Sequence, residues 1–80
     1  MSDFNIDFLT REDCEFLAVE ISFRGQRLCQ LFRRKQDDRI DIEFVEERFE
    51  LQQPVEMEFP LNDFLSALVD ARRELMALTL

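Results

Sequence analysis

Carboxylates are the side chains with the most potential for chemistry in this sequence. Between Ile40 and Pro60 the chain holds seven of them and a single arginine. Two stretches in that region, Ile40–Phe44 and Val55–Phe59, alternate apolar and acidic residues. Because successive side chains of a β-strand point to opposite faces, the alternation predicts two half-buried strands. Each strand would give one apolar row to the core and one acidic row to solvent.

These acidic rows form a candidate binding surface. If the two strands are neighbours, their carboxylates gather on one face, where like charges cost stability. A basic partner would offset that cost, although ordinary solubility charge is the simpler alternative. Phe49 joins the surface because the alternation gives it no inward position, and such an apolar residue can mark a contact. The predicted partner-binding residues are Asp41, Glu43, Glu46, Glu47, Phe49, Glu50, Glu56 and Glu58.

The composition argues against an enzyme. The chain has no histidine, the commonest general base and the usual activator of serine and cysteine nucleophiles. Paired carboxylates can act as acid and base, but that chemistry needs a cleft with one carboxylate in apolar surroundings. Carboxylates on a strand face in water do not meet that requirement. We therefore assign no catalytic residue and expect no enzymatic activity.

No metal or cofactor site is expected either. Cys14 and Cys29 are fifteen positions apart, without a CxxC motif or any histidine, which does not suit zinc. Glu46, Glu47 and Glu50 could attract a hard cation, but their spacing does not match the alternating ligands of an EF-hand loop. The single glycine cannot build a phosphate-binding glycine-rich loop, so no nucleotide cofactor is predicted.

Length and charge narrow the class of protein. Eighty residues predict one domain spanning residues 1–80, with a thin core. The formal net charge of −8 repels phosphates and attracts cationic proteins, so a basic protein partner is expected and direct nucleic-acid binding is not. The basic segment Arg24–Arg39 carries +4 and could touch RNA or DNA, but basic residues at hairpin turns and edge strands explain it more simply.

Cysteine usage and hydropathy predict the compartment. Both cysteines lie among apolar residues, which favours buried, reduced thiols over a disulfide, although pairing stays open. The N-terminal residues show neither a basic region nor an apolar stretch typical of a signal peptide. No apolar run approaches the roughly 20 residues that span a bilayer. A cytoplasmic protein without membrane contact is expected.

Periodicity predicts the elements that must position these residues. Alternation predicts strands at Asp3–Leu9, Glu15–Phe23, Arg27–Arg34 and Arg39–Val45, with a tight hairpin turn at Arg24–Gln26 around the only glycine. Residues 46–53 fit either a short strand or a loop, and Pro54 precedes a further strand at Val55–Phe59.

The period changes after Pro60. Apolar residues then recur at three and four positions, which predicts a helix of about 16 residues from Leu61. The residues of its apolar stripe are Leu61, Phe64, Leu65, Leu68, Ala71, Leu75 and Leu78. The predicted fold is therefore α+β, an antiparallel sheet of four to six strands with one C-terminal helix packed on one face, in two layers.

The chain resembles the small acidic immunity proteins of bacterial polymorphic and contact-dependent growth inhibition toxin systems. The resemblance lies in short length, acidity, a multi-stranded sheet and the late element VEMEFPLNDFLSAL, residues 55–68, that leads into the helix. It implies a cytoplasmic protein that binds one cognate toxin domain, often a nuclease, and blocks its basic surface without catalysis. The alternative is a small assembly module that acts as a homodimer or through sheet-edge and helix contacts. Monomer and homodimer both stay open.

Overall fold

The computed structural model describes residues 3–12, 17–34, 39–45 and 58–78. These contain four strands and one helix, namely β1 (Phe4–Leu9), β2 (Ala18–Phe23), β3 (Gln26–Arg33), β4 (Ile40–Phe44) and α1 (Leu61–Ala77). All five predicted elements in these ranges are confirmed, with small differences at their ends. The strand proposed at Val55–Phe59 lies mostly outside the described residues, and its last two positions, Glu58 and Phe59, are not in a strand.

The four strands form one antiparallel sheet in the order β1-β2-β3-β4. Helix α1 packs on one face of this sheet and contacts β2, β1 and β3. The predicted α+β fold with two layers is therefore confirmed. We call the sheet surface opposite α1 the helix-free face.

A two-residue turn joins β2 to β3. Phe23 and Gln26 are cross-strand partners, so Arg24 and Gly25 are the two central residues. Both have positive φ, 50° for Arg24 and 80° for Gly25. Positive φ at both positions is typical of the type I′ turn, whose twist matches that of the flanking strands. The hairpin predicted around the only glycine is thus confirmed.

The pairing of β2 with β3 contains an irregularity that changes one predicted side-chain position. The register shifts between Ile21 and Ser22, since Ile21 pairs with Cys29 but Ser22 pairs with Arg27. Leu28 is therefore an extra residue on β3. Simple alternation places Leu28 on the face of Gln30 and Phe32, and that prediction is wrong. Leu28 is 1% exposed and belongs to the core beneath the helix.

The main core lies between the sheet and α1. Its buried residues are Val19, Ile21, Phe23, Leu28, Cys29, Leu31, Ala67, Ala71 and Leu75. Small residues at two of the three buried helix positions, Ala67 and Ala71, let the helix approach the sheet closely. Four rings from β1, β2 and the start of the helix pack together at one end of the core, with centroid separations of 4.9–5.8 Å, namely Phe4, Phe23, Phe59 and Phe64.

The predicted helix stripe is only partly buried. Ala71 and Leu75 are buried and Phe64, Leu68 and Leu78 are half-buried, whereas Leu61 and Leu65 are exposed. Leu17, which alternation along the predicted strand Glu15–Phe23 places on the same row as Val19 and Ile21, precedes β2 and is also exposed. Phe8 and Phe44 also lie on the helix side of the sheet, opposite the core residues Val19 and Cys29, but are exposed. All of these side chains lie at the margins of the area that one helix can cover.

The helix presents two chemically different flanks. Asp63, Ser66 and Asp70 line a shallow pocket with Phe4 and Ile6, so this polar flank lies over β1. At 100° per residue, Leu65 and Val69 fall on the other side of the helix axis. Since β1 and β4 are at opposite ends of the sheet, this apolar flank of α1 is the one nearer β4.

Candidate interaction surface

Strand register builds a row of polar side chains across the helix-free face. Asp7 is the Cα partner of Glu20, Glu20 of Gln30, and Gln30 of Glu43, so the row crosses all four strands. We call Asp7, Glu20, Gln30 and Glu43 the carboxylate row. Three of its four members are acidic, and Asp41 lies in the next row, opposite Phe32. Neighbouring strands are about 4.8 Å apart, so the row spans about 14 Å.

The structure locates three of the eight predicted partner-binding residues. Asp41 and Glu43 lie on β4 and face away from the helix, as their alternation with Ile42 predicts. Glu58 is exposed and lies ahead of the helix. The other five predicted residues lie outside the described ranges, namely Glu46, Glu47, Phe49, Glu50 and Glu56. Phe16, the other phenylalanine without a predicted inward position, also lies outside them.

Asp7 and Glu20 are members of the row that the sequence prediction did not assign to the surface. Alternation placed each on the face opposite its strand's apolar row, which the structure confirms. What the pattern lacked was the register that sets Asp7 opposite Glu20 and connects both to Glu43 through Gln30.

Arg11 binds one end of the carboxylate row. Its Nη1 donates hydrogen bonds to Gln30 Oε1 and Glu43 Oε1, both at 2.9 Å. The same guanidinium lies 3.8 Å from the centroid of the Phe32 ring. Only 15% of the Arg11 side chain is exposed, whereas Glu43 keeps 61% of its side chain in solvent. The carboxylate is thus positioned by Arg11 and still accessible.

Asp41 is held by two arginines. Arg34 Nε donates to Oδ2 at 2.7 Å, and Arg39 donates to both carboxylate oxygens, at 2.8 Å from Nε and 3.1 Å from Nη2. These hydrogen bonds, that from Arg34 first, lower the pKa of Asp41 below its ordinary value. Asp41 is therefore a charged carboxylate at neutral pH whose oxygens are already engaged.

Glu20, in the middle of the row, is also paired. Arg27 Nε donates to Glu20 Oε2 at 2.8 Å, and Gln30 Nε2 donates to the same oxygen at 3.1 Å. Asp7 is exposed, and no ion pair joins it to another described residue. The row thus has a fixed centre and two ends, Asp7 and Glu43, that are open to solvent.

Arginines from neighbouring segments compensate part of the acidic charge on the helix-free face. β4 itself carries no basic residue, but neighbouring segments supply Arg11, Arg34 and Arg39 to its carboxylates. The described ranges hold 10 of the 18 acidic and 8 of the 10 basic residues, so they carry a net charge of −2. The remaining −6 belongs to the other segments of the chain.

A small second core lies on the helix-free face. Ala18 and Phe32 are buried there, with Leu9 packed against them, although the described helix lies on the other side of the sheet. The Phe32 ring lies beneath the Arg11 guanidinium and 5.3 Å from that of Arg34. Arg11 and Arg34 therefore contact the Phe32 ring and also pair with the carboxylates beside it.

Cys29 is a free thiol buried in the main core. Burial, with a smaller contribution from the negative charge of Glu20, raises the pKa of this thiol to about 11. The predicted reduced, buried state is confirmed for Cys29, and Cys14 lies outside the described residues.

Two further features of the described ranges bear on function. No three or more potential metal-binding side chains cluster within them. No helix in the same part of the chain is long and apolar enough to cross a bilayer.

Comparison with known proteins adds no assignment, since no protein-family model, curated protein or solved structure gives a significant match to the chain.

Proposed function

We propose that the protein is a non-enzymatic, stoichiometric inhibitor that binds a basic protein, most concretely an immunity protein that neutralises a cognate bacterial toxin domain such as a nuclease. The carboxylate row is the observation that carries this proposal. Asp7, Glu20 and Glu43 are brought from three strands into one line on an accessible sheet face. A rigid sheet holds them without the ordering cost of a flexible acidic tail.

Two contributions of charge support binding to a cation-rich surface. The net charge of −8 acts over long distances and raises the rate of association with a basic protein. The carboxylate row acts at contact, where its geometry can match lysine and arginine side chains on the partner. The long-range contribution depends on salt concentration and little on the position of each charge. The contribution at contact depends on which carboxylates are present.

The arginines on the helix-free face do not prevent such contacts. A carboxylate has two oxygens and can accept several hydrogen bonds, so a partner's cation can join Arg11 at Glu43 without displacing it. Asp7 at the other end of the row has no ion pair within the described ranges. A toxin surface that binds the phosphates of nucleic acid presents hydrogen-bond donors. The carboxylates of the row would accept hydrogen bonds from these donors in place of the phosphates.

The test compares two pairs of exposed carboxylates, one on the sheet and one on the helix. One variant carries Asp7→Asn and Glu43→Gln, at the ends of the carboxylate row. The matched variant carries Asp63→Asn and Asp70→Asn, on the flank of α1 over β1. Each pair removes two exposed negative charges, so non-specific charge effects are equal. The wild type and both variants are immobilised, exposed to lysate of the native organism and eluted by a salt gradient.

We expect the wild type and the helix variant to retain the same basic protein, and the row variant to release it at lower salt, with affinity reduced about 10-fold. If the captured protein is a toxin, its expression will arrest growth, and co-expression of the wild type will restore growth. Equal retention by the two variants, or capture of an acidic protein alone, would contradict binding through the carboxylate row.

A further inference from the structure

Strand β4 is at one end of the sheet, and its outer edge carries backbone groups that no described strand uses. Arg34 N donates to Arg39 O, and Val45 N donates to Leu28 O, so the odd-numbered residues of this segment bond to β3. In an antiparallel pair of strands, residues whose backbone groups bond to the neighbouring strand alternate with residues whose backbone groups point away from it. The N–H and C=O groups of Ile40, Ile42 and Phe44 therefore point outward, where a further strand would bond.

Both side-chain rows of β4 are accessible. On the helix side, Ile42 is 45% exposed and Phe44 is 56% exposed, because α1 contacts the other three strands and not β4. Leu65 and Val69 on the apolar flank of α1, the helix flank nearer β4, are exposed as well. On the helix-free face, Asp41 and Glu43 present negative charge.

The opposite edge of the sheet, β1, lacks this combination. Its helix-side residues Phe4 and Ile6 are half-buried beneath α1, and the acidic flank of the helix lies over them. A strand added to β1 would find one of its faces closed by the helix. A strand added to β4 would not meet the described helix on either face.

We propose that β4 binds an extended segment of the partner by strand addition, and that this segment alternates apolar and basic residues. Its apolar row would lie beside Ile42 and Phe44, and its basic row beside Asp41 and Glu43. Main-chain hydrogen bonds to Ile40, Ile42 and Phe44 supply affinity, and the two rows supply specificity. This inference rests on the proposed function, because it states how a basic partner is held.

Charge complementarity selects this occupant over a second copy of the chain. A copy of β4 paired antiparallel about Ile42 would set Asp41 opposite Glu43 of the other copy, and like charges directly opposite are destabilising. Two chains of net charge −8 also repel each other at long range. A segment that alternates apolar and basic residues has neither the opposed like charges nor the long-range repulsion.

The test uses synthetic nine-residue peptides and the full chain. The probe alternates valine with lysine. One control peptide has the same composition arranged as a basic block followed by an apolar block, and a second alternates valine with glutamate. Binding is measured by fluorescence anisotropy, and amide hydrogen exchange is followed for Ile40, Ile42 and Phe44 with and without peptide.

Variants separate strand addition from attraction of charge. Ile42→Pro removes one outward N–H without removing a hydrogen bond to β3, and we expect it to raise the Kd for the alternating peptide at least about 10-fold. Glu43→Lys and Asp7→Lys make the same charge change at the two ends of the carboxylate row. We expect Glu43→Lys to weaken binding at least about 5-fold more than Asp7→Lys, because only Glu43 is on β4. Circular dichroism confirms that each variant is folded.

The proposal is supported if the alternating peptide alone binds and slows exchange at Ile40, Ile42 and Phe44. It is overturned if the block peptide binds equally, if both lysine variants lose binding equally, or if these amides are unaffected. If the three amides are already protected in the free monomer, the chain itself covers this edge. If their protection increases with protein concentration, a second copy covers it. Both results overturn the proposal. Capture of a basic protein could still succeed after any of these failures, so the two proposals fail separately.

Discussion

Arg11 combines three interactions at one position on the helix-free face. It donates to Gln30 and Glu43 and stacks on Phe32, while only 15% of its own side chain is exposed. A guanidinium suits this position because its planar fork can donate from its edge and stack with its face. Arg11 is therefore more than a surface charge, since it shields an aromatic ring from water on the sheet face opposite α1.

We expect Arg11→Ala to lower the free energy of unfolding by about 1–3 kcal/mol, because it uncovers Phe32 and removes the hydrogen bond that Arg11 donates to Oε1 of the buried Gln30. The matched control is Arg73→Ala, which removes an arginine paired with Asp70 at 3.2 Å and 71% exposed. An exposed pair of that kind contributes about 0–1 kcal/mol. Urea unfolding followed by circular dichroism measures both. Equal losses would show that Arg11 has no special role.

Arg11 also shows which kind of contact a sequence pattern does not predict. Alternation correctly put Asp41 and Glu43 on the solvent side of β4, because a period of two follows from strand geometry alone. Arg11, in contrast, follows β1 in a polar connector, and its contacts with β3 and β4 depend on how the sheet is assembled. The apparent lack of basic residues near the acidic strand was a property of the sequence and not of the surface.

At the scale of elements, register decides what alternation leaves open. The carboxylate row requires pairings between β1, β2, β3 and β4 that no single strand encodes. A shift of one residue at Ile21 and Ser22 moves Leu28 into the core beneath the helix. Helix placement has a comparable effect, since α1 covers three strands and leaves Ile42 and Phe44 exposed. The elements follow from local pattern, whereas these features follow from the packing of one element on another.

The β2–β3 turn offers a direct test of a conformational requirement. Gly25 has φ of 80°, and a Cβ placed there would meet no atom within 4 Å, so crowding does not contribute. We expect Gly25→Ala to destabilise the fold by about 1–2 kcal/mol through backbone strain alone. Arg24→Gly relieves a φ of 50° but removes the exposed ion pair of Arg24 with Asp3, so we expect it to change stability less than Gly25→Ala does. Thermal unfolding of the two variants compares them, and a loss for Arg24→Gly as large as that for Gly25→Ala would argue against a type I′ turn.

At the scale of the whole molecule, the charge is distributed unevenly between the described fold and the rest of the chain. The described ranges carry −2 of the total −8, and most of their arginines are engaged with carboxylates on adjacent segments. The fold itself is thus close to electrostatic balance, and its ion pairs join β1, β2, β3 and β4 rather than repel them. Long-range attraction of a basic partner depends chiefly on the other segments, while the carboxylate row determines the local fit.

The composition also makes the alkaline stability of the molecule depend on very few groups. The chain has no histidine and no tyrosine, and Lys35 is its only lysine. Cys29, whose pKa is raised by burial from 9.0 to about 11, is the described group that titrates differently in the folded and unfolded states in this range. As the pH rises above 9, the unfolded thiol ionises and the folded one stays protonated. The unfolded state then binds fewer protons, so the free energy of unfolding must fall.

We therefore expect the stability contributed by the neutral Cys29 thiol to be complete below pH 9 and to be lost progressively as the pH rises from 9 toward 11. Urea unfolding at pH 8, 9, 10 and 11, under reducing conditions, measures this dependence. Cys29→Ala should flatten the alkaline slope, whatever it does to stability at pH 8, while Val19→Ala, which opens a cavity in the same core without removing a thiol, should keep it. The slope is the informative quantity, because a cavity left by the alanine lowers stability equally at every pH. An unchanged slope in Cys29→Ala would mean that the thiol ionises as readily in the core as in the unfolded chain, and that the helix does not keep water from this part of the sheet.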